Sequence, residues 1–413
     1  MSINAYENFL GRGYVAQCTD AEALTQLFAS ETVLGYIGFD PTATSLHVGS
    51  LVPILSLVHL QRCGHRPIPV VGGGTGMIGD PSGKTEMRQI LSLDELASNA
   101  LAIKQQLSRF LDFGPGGAIM VNNADWLAPL NYIEFLRDIG RHFSVNRMLA
   151  AESVKLRLDQ EQGLSFIEFN YALLQAYDFM HLAKTLGCRL QMGGNDQWGN
   201  IVAGVDLTRR MLGATVYGLT FPLITTSTGQ KMGKTHAGAI WLDADRTPVY
   251  DFYQYWVNTT DEDVVRFLKL FSFLPISEID ELARLTGADI RQAKQVLAYE
   301  VTKIVHGEPE AKAASAAAAA AFGGPGGDAD SVPTTSLPRA QLAAGLPAFA
   351  LLVQTGLCAS NSEARRLVAQ GGAYVGEMRI TAFDQPLTLA QAGPDGALWL
   401  RAGKKKHHRV VPE

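Results

Sequence analysis

The feature that most constrains the fold is an alternation of apolar strands and helical segments over the first half of the chain. Apolar runs that predict strands lie at 33–39, 67–71, 118–121 and 188–192. Helical patterns lie between or beside them, at 47–62, 94–112, 130–140 and 166–186. Because parallel strands need long crossover connections, this order predicts an α/β fold with a doubly wound, Rossmann-like parallel sheet. Ligands of such sheets bind at the carboxyl ends of the strands, so we expect the functional site there.

The second half of the chain has a different pattern and predicts further domains. From residue 247 onward the sequence is helical, and it ends in an alanine-rich helix at 311–321 that a run of glycine and proline stops. Residues 323–345 have the composition of a linker. We therefore predict a Rossmann-like catalytic domain at 1–228, a loop and helical domain at 229–322, a linker at 323–345 and a small α+β domain at 346–413.

Charge is distributed unevenly between these parts. The whole chain has 35 basic and 40 acidic residues, a net charge of −5, which excludes a nucleic-acid binder driven by overall positive charge. Residues 346–413 contain 8 basic and 5 acidic residues (net +3), so the remainder has a net charge of −8. A small basic domain on an acidic body adds affinity for polyanions.

The chain has no sequence signal for a membrane, a secretory route or a metal site. Its four cysteines have neither metal-ligand nor disulfide-framework spacing, which is typical of free thiols in a reducing compartment. The first residues lack a basic and then apolar signal segment, and no apolar run approaches the ~20 residues that cross a bilayer. We expect a cytoplasmic protein with no membrane segment and no bound structural metal.

A glycine-rich loop after the second strand allows two interpretations. Gly74-x-Gly76-x-x-Gly79 matches a dinucleotide fingerprint with Asp94 downstream, which would indicate a nicotinamide oxidoreductase. Against this, Asp80-Pro81 follows the third glycine in place of an uninterrupted helix. Gly83-Lys84-Thr85 resembles the end of a P-loop, but Ile78 stands where the first glycine of that motif belongs. We favour a loop that approaches another ligand closely.

Two segments carry groups suited to a triphosphate. His47 stands at the start of a helix, where amide donors and the dipole favour anions, and Gly49 leaves room for a flat base. Lys231 and Lys234 are three residues apart in a loop and could reach one polyphosphate. Such cations stabilise the charge that develops in phosphoryl or nucleotidyl transfer. We predict that these two segments converge around one triphosphate.

A polar stripe on the helix at 166–186 predicts a polar ligand. Tyr171, Gln175 and Asp178 are spaced i, i+4, i+7 and therefore share one face of that helix. A phenol, an amide and a carboxylate would be costly in a core unless each has a hydrogen-bond partner. A bound polar molecule would supply those partners.

Several motifs together resemble class I aminoacyl-tRNA synthetases, and among them the tyrosyl-tRNA synthetases of bacteria. The motifs are Tyr36-x-Gly38-Phe39-Asp40-Pro41-Thr42, His47-Val48-Gly49-Ser50, Gly79-Asp80-Pro81-Ser82-Gly83-Lys84, Tyr171-x-x-x-Gln175-x-x-Asp178, Gln191-x-Gly193-Gly194-x-Asp196-Gln197-Trp198 and Lys231-Met232-Gly233-Lys234-Thr235. The resemblance covers nearly the whole chain. Ser50 replaces the second histidine of one family signature, and Gly233 and Thr235 replace two serines of the other, which keeps both lysines.

The resemblance implies the reaction and the role of each site residue. Tyr36 and Asp178 would bind the hydroxyl of L-tyrosine, and Asp80, Tyr171 and Gln175 its ammonium group. ATP, which brings its own Mg²⁺, would be bound by Asp40, Pro41, Thr42, His47, Gly49, Ser50, Asp196, Gln197, Lys231, Met232, Gly233, Lys234 and Thr235. Thr42, His47, Lys231 and Lys234 would act by positioning and charge stabilisation, with no covalent nucleophile. Whether Lys84 and Arg88 contact pyrophosphate stays open. The family is homodimeric, and its products are tyrosyl-adenylate and then tyrosyl-tRNA(Tyr).

The C-terminal part resembles the small RNA-binding module named after a ribosomal protein. Its helix contains Ser362–Val368, and a turn with two glycines follows at 371–376. The expected phosphate contacts are Arg365, Arg366, Arg379, Lys404, Lys405 and Lys406. A non-catalytic RNA-binding protein would leave the first 320 residues unexplained. A tryptophan-specific relative is a closer alternative, which the tail and the Tyr36 and Asp178 pair disfavour.

Overall fold

The computed structural model describes residues 3–82, 91–158, 164–227, 229, 232–235, 238–321, 333–393, 396–403 and 406–413. These residues form two compact units. The first comprises Met1–Thr247 and Thr260–Ala293, and the second comprises Pro248–Thr259 and Lys294–Glu413. None of the helices described is long and apolar enough to cross a bilayer.

The first elements in the chain form the α/β body of the first unit. They are α1 (Ala5–Arg12), β1 (Gln17–Cys18), α2 (Ala21–Ser30), β2 (Leu34–Phe39), α3 (Leu51–Arg62), β3 (Arg66–Val71), α4 (Leu93–Leu107), β4 (Val121–Asn122), α5 (Ala124–Leu127), α6 (Tyr132–Asp138), α7 (Val145–Ala150), α8 (Glu152–Leu158), α9 (Phe166–Leu186), β5 (Leu190–Gly194), α10 (Trp198–Leu212), β6 (Tyr217–Phe221), β7 (Lys234–Thr235) and β8 (Gly238–Ala239). Of the predicted strand at 118–121, only Val121 lies in a strand, because β4 comprises Val121 and Asn122.

Strands β1 to β6 form one six-stranded sheet, in the order β1-β6-β5-β2-β3-β4, whereas β7 and β8 pair only with each other. Every neighbouring pair from β6 to β4 is parallel, and only the edge strand β1 is antiparallel. The chain runs from β2 outward to β4 on one side and from β5 to β6 on the other. The prediction of a doubly wound, Rossmann-like sheet is confirmed, and its topological switch point lies between β2 and β5.

Helix α9 has the bounds that the sequence predicts, because both of its ends carry local signals. At its start, the side chain of Ser165 accepts a hydrogen bond from the backbone N–H of Glu168, and the Glu168 side chain caps Ser165 in return. At its end, Gly187 adopts φ 71°, a left-handed conformation that favours glycine. The ion pair between Arg157 and Glu168 (2.9 Å) is buried at the first turn of this helix.

The helical elements that follow are α11 (Val249–Val257), α12 (Val264–Phe271), α13 (Ile276–Leu282), α14 (Ile290–His306) and α15 (Glu308–Ala321). Helix α11 begins one residue later than its proline suggests, since Pro248 is the N-cap and not the first helical residue. The alanine-rich segment is helical, as predicted. Helices α12 and α13 belong to the first unit, whereas α11 and α15 belong to the second.

The C-terminal part of the second unit is a small α+β domain with its own core. Its elements are β9 (Thr334–Leu337), α16 (Arg339–Ala344), β10 (Leu346–Pro347), α17 (Ala348–Gln354), α18 (Asn361–Ala369), β11 (Ala373–Val375), β12 (Met378–Arg379), β13 (Pro386–Leu387), β14 (Leu398–Ala402) and β15 (Lys406–Pro412). Five strands form a sheet in the order β12-β11-β14-β15-β9.

The predicted linker at 323–345 is wrong over its second part. Strand β9 pairs in parallel with β15, with Thr334 opposite Arg409, and Leu342 of α16 is fully buried in the core of this domain. The Pro, Ser and Thr of this segment carry no local signal that separates a strand from a linker, and a non-local pairing decides its structure. Residues 322–332 lie outside the described part of the chain.

Candidate active site

Polar side chains meet at the carboxyl ends of β2 and β5, at the switch point of the sheet. Asp40 follows β2 directly, and a short 3₁₀ helix at Asn195–Gln197 follows β5. The two strands are in register with Tyr36 opposite Gln191. This is the crevice in which sheets of this topology bind ligands.

Asp40 is held by hydroxyl groups from two other elements. The Thr75 hydroxyl donates to Asp40 Oδ1 (3.0 Å), and the Tyr171 phenol of α9 donates to Asp40 Oδ2 (3.2 Å). Asn123, which follows β4, donates from Nδ2 to Thr75 Oγ1 (3.0 Å). The network therefore joins segments that follow three neighbouring strands to the polar stripe of α9.

Asp178 is a buried carboxyl group with two neutral donors. Asn123 Nδ2 donates to Asp178 Oδ2 (2.9 Å), and the indole Nε1 of Trp126 donates to Asp178 Oδ1 (2.7 Å). The pKa of Asp178 is raised to about 7, because the raising effects of burial and of the negative charge of Asp40 outweigh the lowering effect of the two hydrogen bonds. Since neither donor carries a charge, the carboxylate has no compensating cation among these contacts.

Tyr36 carries a buried phenol whose oxygen has no hydrogen-bond partner among the residues that the structure describes. The side chain is 2% exposed and packs edge-on against Phe179 of α9. Burial, and then the charge of Asp178, raise the pKa of Tyr36 well above its usual value. A buried hydroxyl left unpaired costs ~1–3 kcal/mol, so this group is suited to a ligand with a polar atom.

A second buried carboxyl group, Asp80, lies among amide side chains. Gln197 Nε2 donates to Asp80 Oδ2 (2.6 Å), and the backbone N–H of Ser82 donates to Asp80 Oδ1 (2.9 Å). Burial and the charge of Asp40 raise the pKa of Asp80 to about 6. Asn200 of α10 donates to Gln175 Oε1 (3.0 Å) and to Gln197 Oε1 (3.3 Å), so the second residue of the polar stripe, Gln175, belongs to the same cluster.

The glycine-rich loop does not have the geometry of a dinucleotide fingerprint. Its amides are hydrogen-bonded within the protein: Gly73 N–H donates to Asn122 Oδ1 (3.2 Å) and Gly74 N–H to Asn123 Oδ1 (2.8 Å). A single 3₁₀ turn at Thr75–Met77 follows, where a fingerprint needs a long helix. A Cβ on Gly72 would lie 2.3 Å from Asp40 Oδ1, so this glycine permits close packing against the site. The oxidoreductase alternative is therefore disfavoured.

A backbone hydrogen bond fixes the orientation of the His47 imidazole. The backbone N–H of Gly49 donates to His47 Nδ1 (2.9 Å), so in the neutral ring the proton is on Nε2, which is the nitrogen that can donate to a ligand. Val48 and the first turn of α3 are buried behind it. A Cβ on Gly49 would lie 2.7 Å from the His47 ring, so glycine is required for this close contact.

The loop with the two lysines packs directly on this turn. Met232 is buried, and its carbonyl oxygen is 3.3 Å from the position of a Cβ on Gly49. Gly233 adopts φ 79°, and a Cβ there would lie 3.0 Å from the amide nitrogen of Gly49. Lys231 lies outside the described residues, and Lys234 and Thr235 are described only as the backbone of β7. The predicted convergence of the two segments therefore holds for their backbones.

The other predicted nucleotide-binding residues lie around the same crevice. Thr42 is exposed beside Asp40, whereas Pro41 is buried and accepts a hydrogen bond from Asn99 (3.1 Å). Ser50 is half-buried and makes no side-chain cap bond to α3. Asp196 is exposed and accepts a hydrogen bond from Gln197 (3.1 Å). Lys84 and Arg88 lie outside the described residues.

In the C-terminal domain, the three predicted RNA-binding arginines contact different parts of the protein. Arg365 stacks on the rings of Phe349 and Phe383, at 5.3 and 4.7 Å from their centroids. Arg366 and Lys406 line one small cavity of ≈ 360 Å³. Arg379 on the edge strand β12 lies so close to Gly371 that a Cβ there would collide with its guanidinium. Lys404 and Lys405 lie outside the described residues.

Sequence reasoning missed three residues that hold the predicted ones in place. Asn123, Trp126 and Asn200 contact Asp178 or Gln175 directly. The available signal was the pair Asn122-Asn123 immediately after an apolar strand, because side chains at that position reach the carboxyl edge of the sheet. Trp126 and Asn200 carried no comparable signal.

Comparisons with known proteins identify the family of the chain. The family described as "tRNA synthetases class I (W and Y)" matches residues 30–323, and the tyrosine–tRNA ligase SYY-like C-terminal domain matches residues 328–410. The chain is 55% identical to the tyrosine–tRNA ligase of Desulfatibacillum aliphaticivorans, over all of this chain and 99% of that protein. The chain belongs to the tyrosyl-tRNA synthetase family. Another family member, from Desulfosudis oleivorans, is 56% identical over 97% of both chains.

A solved structure of a tyrosyl-tRNA synthetase has the same architecture. It is the C-terminally truncated mitochondrial enzyme of Aspergillus nidulans, which is 32% identical, with a TM-score of 0.68 over 76% of this chain and 92% of that chain. The resemblance on which the sequence analysis relied is thereby confirmed, as is the assignment to class I.

Proposed function

We propose that this chain attaches L-tyrosine to tRNA(Tyr) in two steps. Tyrosine and ATP first give tyrosyl-adenylate and pyrophosphate, and the tyrosyl group then passes to the 3′-terminal adenosine of the tRNA. Family membership supports the reaction. One observation carries the choice of amino acid: the buried phenol of Tyr36, which has no hydrogen-bond partner within the described part of the chain, lies beside the buried carboxyl group of Asp178. A substrate hydroxyl can accept from the phenol and donate to the carboxylate.

In this proposal, the buried carboxyl groups of Asp178 and Asp80 bind opposite ends of the amino acid. Tyr36 and Asp178 bind the side-chain hydroxyl of tyrosine. Asp80, with Tyr171 and Gln175, binds the ammonium group, whose positive charge would lower the raised pKa of Asp80. Phenylalanine would leave the Tyr36 phenol without a partner and Asp178 without the hydrogen bond from the substrate, which costs ~1–3 kcal/mol or more. Rejection of phenylalanine by a site that hydrogen-bonds the substrate hydroxyl is already known for this type of enzyme.

ATP is proposed to bind beside the amino acid, between the His47 turn and the lysine loop. His47, with its Nε2–H, and Thr42 would contact the phosphates, together with Lys231 and Lys234. Asp40, Pro41, Gly49, Ser50, Asp196, Gln197, Met232, Gly233 and Thr235 would complete the nucleotide site. The packing of Gly233 against Gly49 supports this arrangement. Mg²⁺ would arrive with ATP as part of the substrate.

The proposed chemistry needs no covalent bond to the protein. A carboxylate oxygen of tyrosine attacks the α-phosphorus of ATP, the bond to the bridging oxygen breaks, and pyrophosphate leaves with the electron pair. The protein aligns the two substrates and stabilises charge on the phosphate oxygens, which is how phosphoryl-transfer enzymes gain most of their rate. In the second step a ribose hydroxyl of the terminal adenosine attacks the tyrosyl carbonyl, and AMP leaves.

Binding of tRNA is proposed for the parts beyond the catalytic domain (1–228). The helical domain at 229–322 would lie along the anticodon arm, and the C-terminal domain would contact phosphates. Arg366 and Lys406 support this assignment because they share one cavity, whereas Arg365 is already stacked on two phenylalanine rings. Arg379, Lys404 and Lys405 would add charge.

The protein is further proposed to act as a cytoplasmic homodimer. Large apolar side chains are exposed on α6 to α10: Tyr132, Ile133, Leu136, Val145, Leu149, Leu158, Phe166, Ile167 and Val202. A groove of ≈ 1000 Å³ between these elements has Phe143, Met148 and Phe169 in its lining. Exposed apolar patches of this kind mark protein interfaces, and a second copy would cover this one. Four unpaired cysteines support a reducing compartment.

The deciding experiment is amino-acid-dependent exchange of pyrophosphate into ATP, measured over a panel of amino acids. Exchange with tyrosine and not with phenylalanine or tryptophan is the expected result. Exchange with tryptophan and not tyrosine would contradict the proposed roles of Tyr36 and Asp178. Sedimentation equilibrium tests the dimer, and a monomer at micromolar concentration would contradict it.

A further inference from the structure

The structure shows a contact to His47 that neither signature motif contains. Residues 240–242, which follow the lysine loop, run antiparallel to residues 46–48. The N–H of Val48 donates to the carbonyl of Ile240 (2.9 Å), and the N–H of Leu242 donates to the carbonyl of Leu46 (2.9 Å). His47 and Trp241 are the bridged pair between these two bonds. In such a pair the side chains lie on the same face and close together.

The indole of Trp241 contacts the imidazole of His47. Their ring centroids are 6.2 Å apart at an interplanar angle of 71°, an edge-on arrangement that aromatic rings favour. The hydrogen bond from Gly49 N–H to Nδ1 also constrains the imidazole. Trp241 and the Gly49 amide therefore restrain the same ring from two different elements.

Arg246 holds the indole in place. Its guanidinium carbon lies 3.4 Å from the centroid of the Trp241 ring, and its Nη1 is 3.5 Å from the hydroxyl oxygen of Thr44. A tight turn brings Arg246 back over Trp241, because Thr247 N–H donates to the carbonyl of Asp243 (2.9 Å) and Thr247 Oγ1 accepts from the N–H of Trp241 (2.9 Å). The contact to Thr44 ties this turn to the segment that leads into His47.

Ile240 connects the same contact to the lysine loop. Its carbonyl accepts from Val48, while its N–H donates to the carbonyl of Gly233 (3.0 Å). The backbone of the loop, the residues that follow it and the His47 turn are therefore linked through one residue. A change in the position of Trp241 would move His47 relative to Gly233.

We propose that Trp241 and Arg246 are positioning residues for His47 in tyrosine activation, and that they set the distance between the His47 turn and the lysine loop. The inference rests on the proposed function, in which His47 contacts the phosphates of ATP. Trp241 acts through His47 and does not touch the amino acid. Its loss should therefore affect the rate of adenylate formation and the use of ATP, with little effect on tyrosine binding.

The test is pyrophosphate exchange by Trp241→Ala, Trp241→Phe and Arg246→Gln, with tyrosine affinity measured separately by equilibrium dialysis. Misplacing a reacting group by ~1 Å can cost up to ~100-fold, so we expect kcat to fall about tenfold in Trp241→Ala and about threefold in Arg246→Gln. Trp241→Phe keeps an aromatic ring at the position and should restore most of the rate. Tyrosine affinity should stay within about twofold of the wild type in all three.

A double-mutant cycle separates positioning from general damage to the fold. In a His47→Asn background, Trp241→Ala and Arg246→Gln should each change kcat less than about twofold, because the group they position is gone. Because Arg246 is exposed, Arg246→Gln should fold normally, and it can be compared between the two backgrounds even if Trp241→Ala fails to fold. The matched control is Arg401→Gln, which removes a similar guanidinium stacked on Tyr374 (3.9 Å) in the C-terminal domain and should leave exchange unchanged.

The outcomes distinguish this role from the proposed function. Equal losses in the wild-type and His47→Asn backgrounds would overturn the positioning role, and so would a fall in tyrosine affinity that matches the fall in kcat. If the wild type shows normal tyrosine-dependent exchange and kcat is unchanged in Trp241→Ala and Arg246→Gln, the positioning role is overturned but the proposed function is not. Absence of exchange in the wild type would overturn the proposed function and this role together.

Discussion

The preference for tyrosine over phenylalanine is expected to weaken as the pH falls from 8 to 6. Asp178 is proposed to accept a hydrogen bond from the substrate hydroxyl, which requires its carboxylate form. Burial raises the pKa of Asp178 to about 7. The protonated form therefore predominates below that pH, and the hydroxyl loses its acceptor. Phenylalanine has no hydroxyl, so its binding should not follow this titration.

The size of the effect follows from the ionised fraction. With a pKa of about 7, the carboxylate fraction is about 0.9 at pH 8 and about 0.1 at pH 6. If only the ionised form binds the hydroxyl, the affinity ratio of tyrosine to phenylalanine should fall about tenfold over this range, or ~1.4 kcal/mol. Burial also raises the pKa of Asp80, to about 6, but Asp80 is proposed to bind the ammonium group that both amino acids share, so its effect cancels in the ratio.

The assay compares the KM for tyrosine with the inhibition constant of phenylalanine at pH 6, 7 and 8 and constant ionic strength. Asp178→Asn is the matched control, since an amide does not change charge and its ratio should be independent of pH. A wild-type ratio that is flat, or that increases as the pH falls, would refute the role of the ionised carboxylate.

Three further changes test other parts of the structure. Tyr36→Phe should raise the KM for tyrosine about 2- to 12-fold through loss of one hydrogen bond (~0.5–1.5 kcal/mol) and leave inhibition by phenylalanine unchanged; an equal loss for both amino acids would contradict the role of the phenol. Glu168→Gln leaves Arg157 buried without its charged partner and should lower the free energy of unfolding by ~3–5 kcal/mol in urea denaturation. The double change Arg157→Met with Glu168→Leu should lower the free energy of unfolding by less, because it removes both charges. A loss below ~1 kcal/mol in Glu168→Gln would argue against an ion pair that is shielded from water. Deletion of residues 323–413 should leave pyrophosphate exchange intact and abolish tRNA charging. Deletion of residues 346–413 removes β15, the pairing partner of β9, so the remaining protein should aggregate, as measured by light scattering. Equal solubility of the two truncated proteins would contradict the assignment of residues 333–345 to the C-terminal domain.

Local features of the chain were predictable because neighbouring residues encode them. Helix α9 has its predicted bounds since the Ser165 cap, the polar stripe and Gly187 all lie within its own sequence. The order of strands and helices likewise predicted the parallel sheet and the edge at which Asp40 and Asp196 stand. The two signature segments were recognisable as motifs even though their residues are far apart in the chain.

Contacts between distant segments could not be predicted in the same way. The sequence around Asn123 indicates only that its side chain reaches the carboxyl edge of the sheet. That Asn123 and Trp126 donate to Asp178 depends on β4 lying beside β3. Strand β9 has the composition of a linker and becomes a strand only through its pairing with β15. Trp241 reaches His47 only because residues 240–242 align with residues 46–48.

The sequence by itself determined which chemical groups are present, which local elements carry them and to which family the chain belongs. Only the tertiary structure decided which of those groups are deprived of water. The carboxyl groups of Asp80 and Asp178 differ from ordinary surface carboxyls because several elements bury them together and place Asp40 nearby. Burial and charge proximity are properties of the packed chain, and they turn these residues from common polar side chains into groups that titrate near neutral pH.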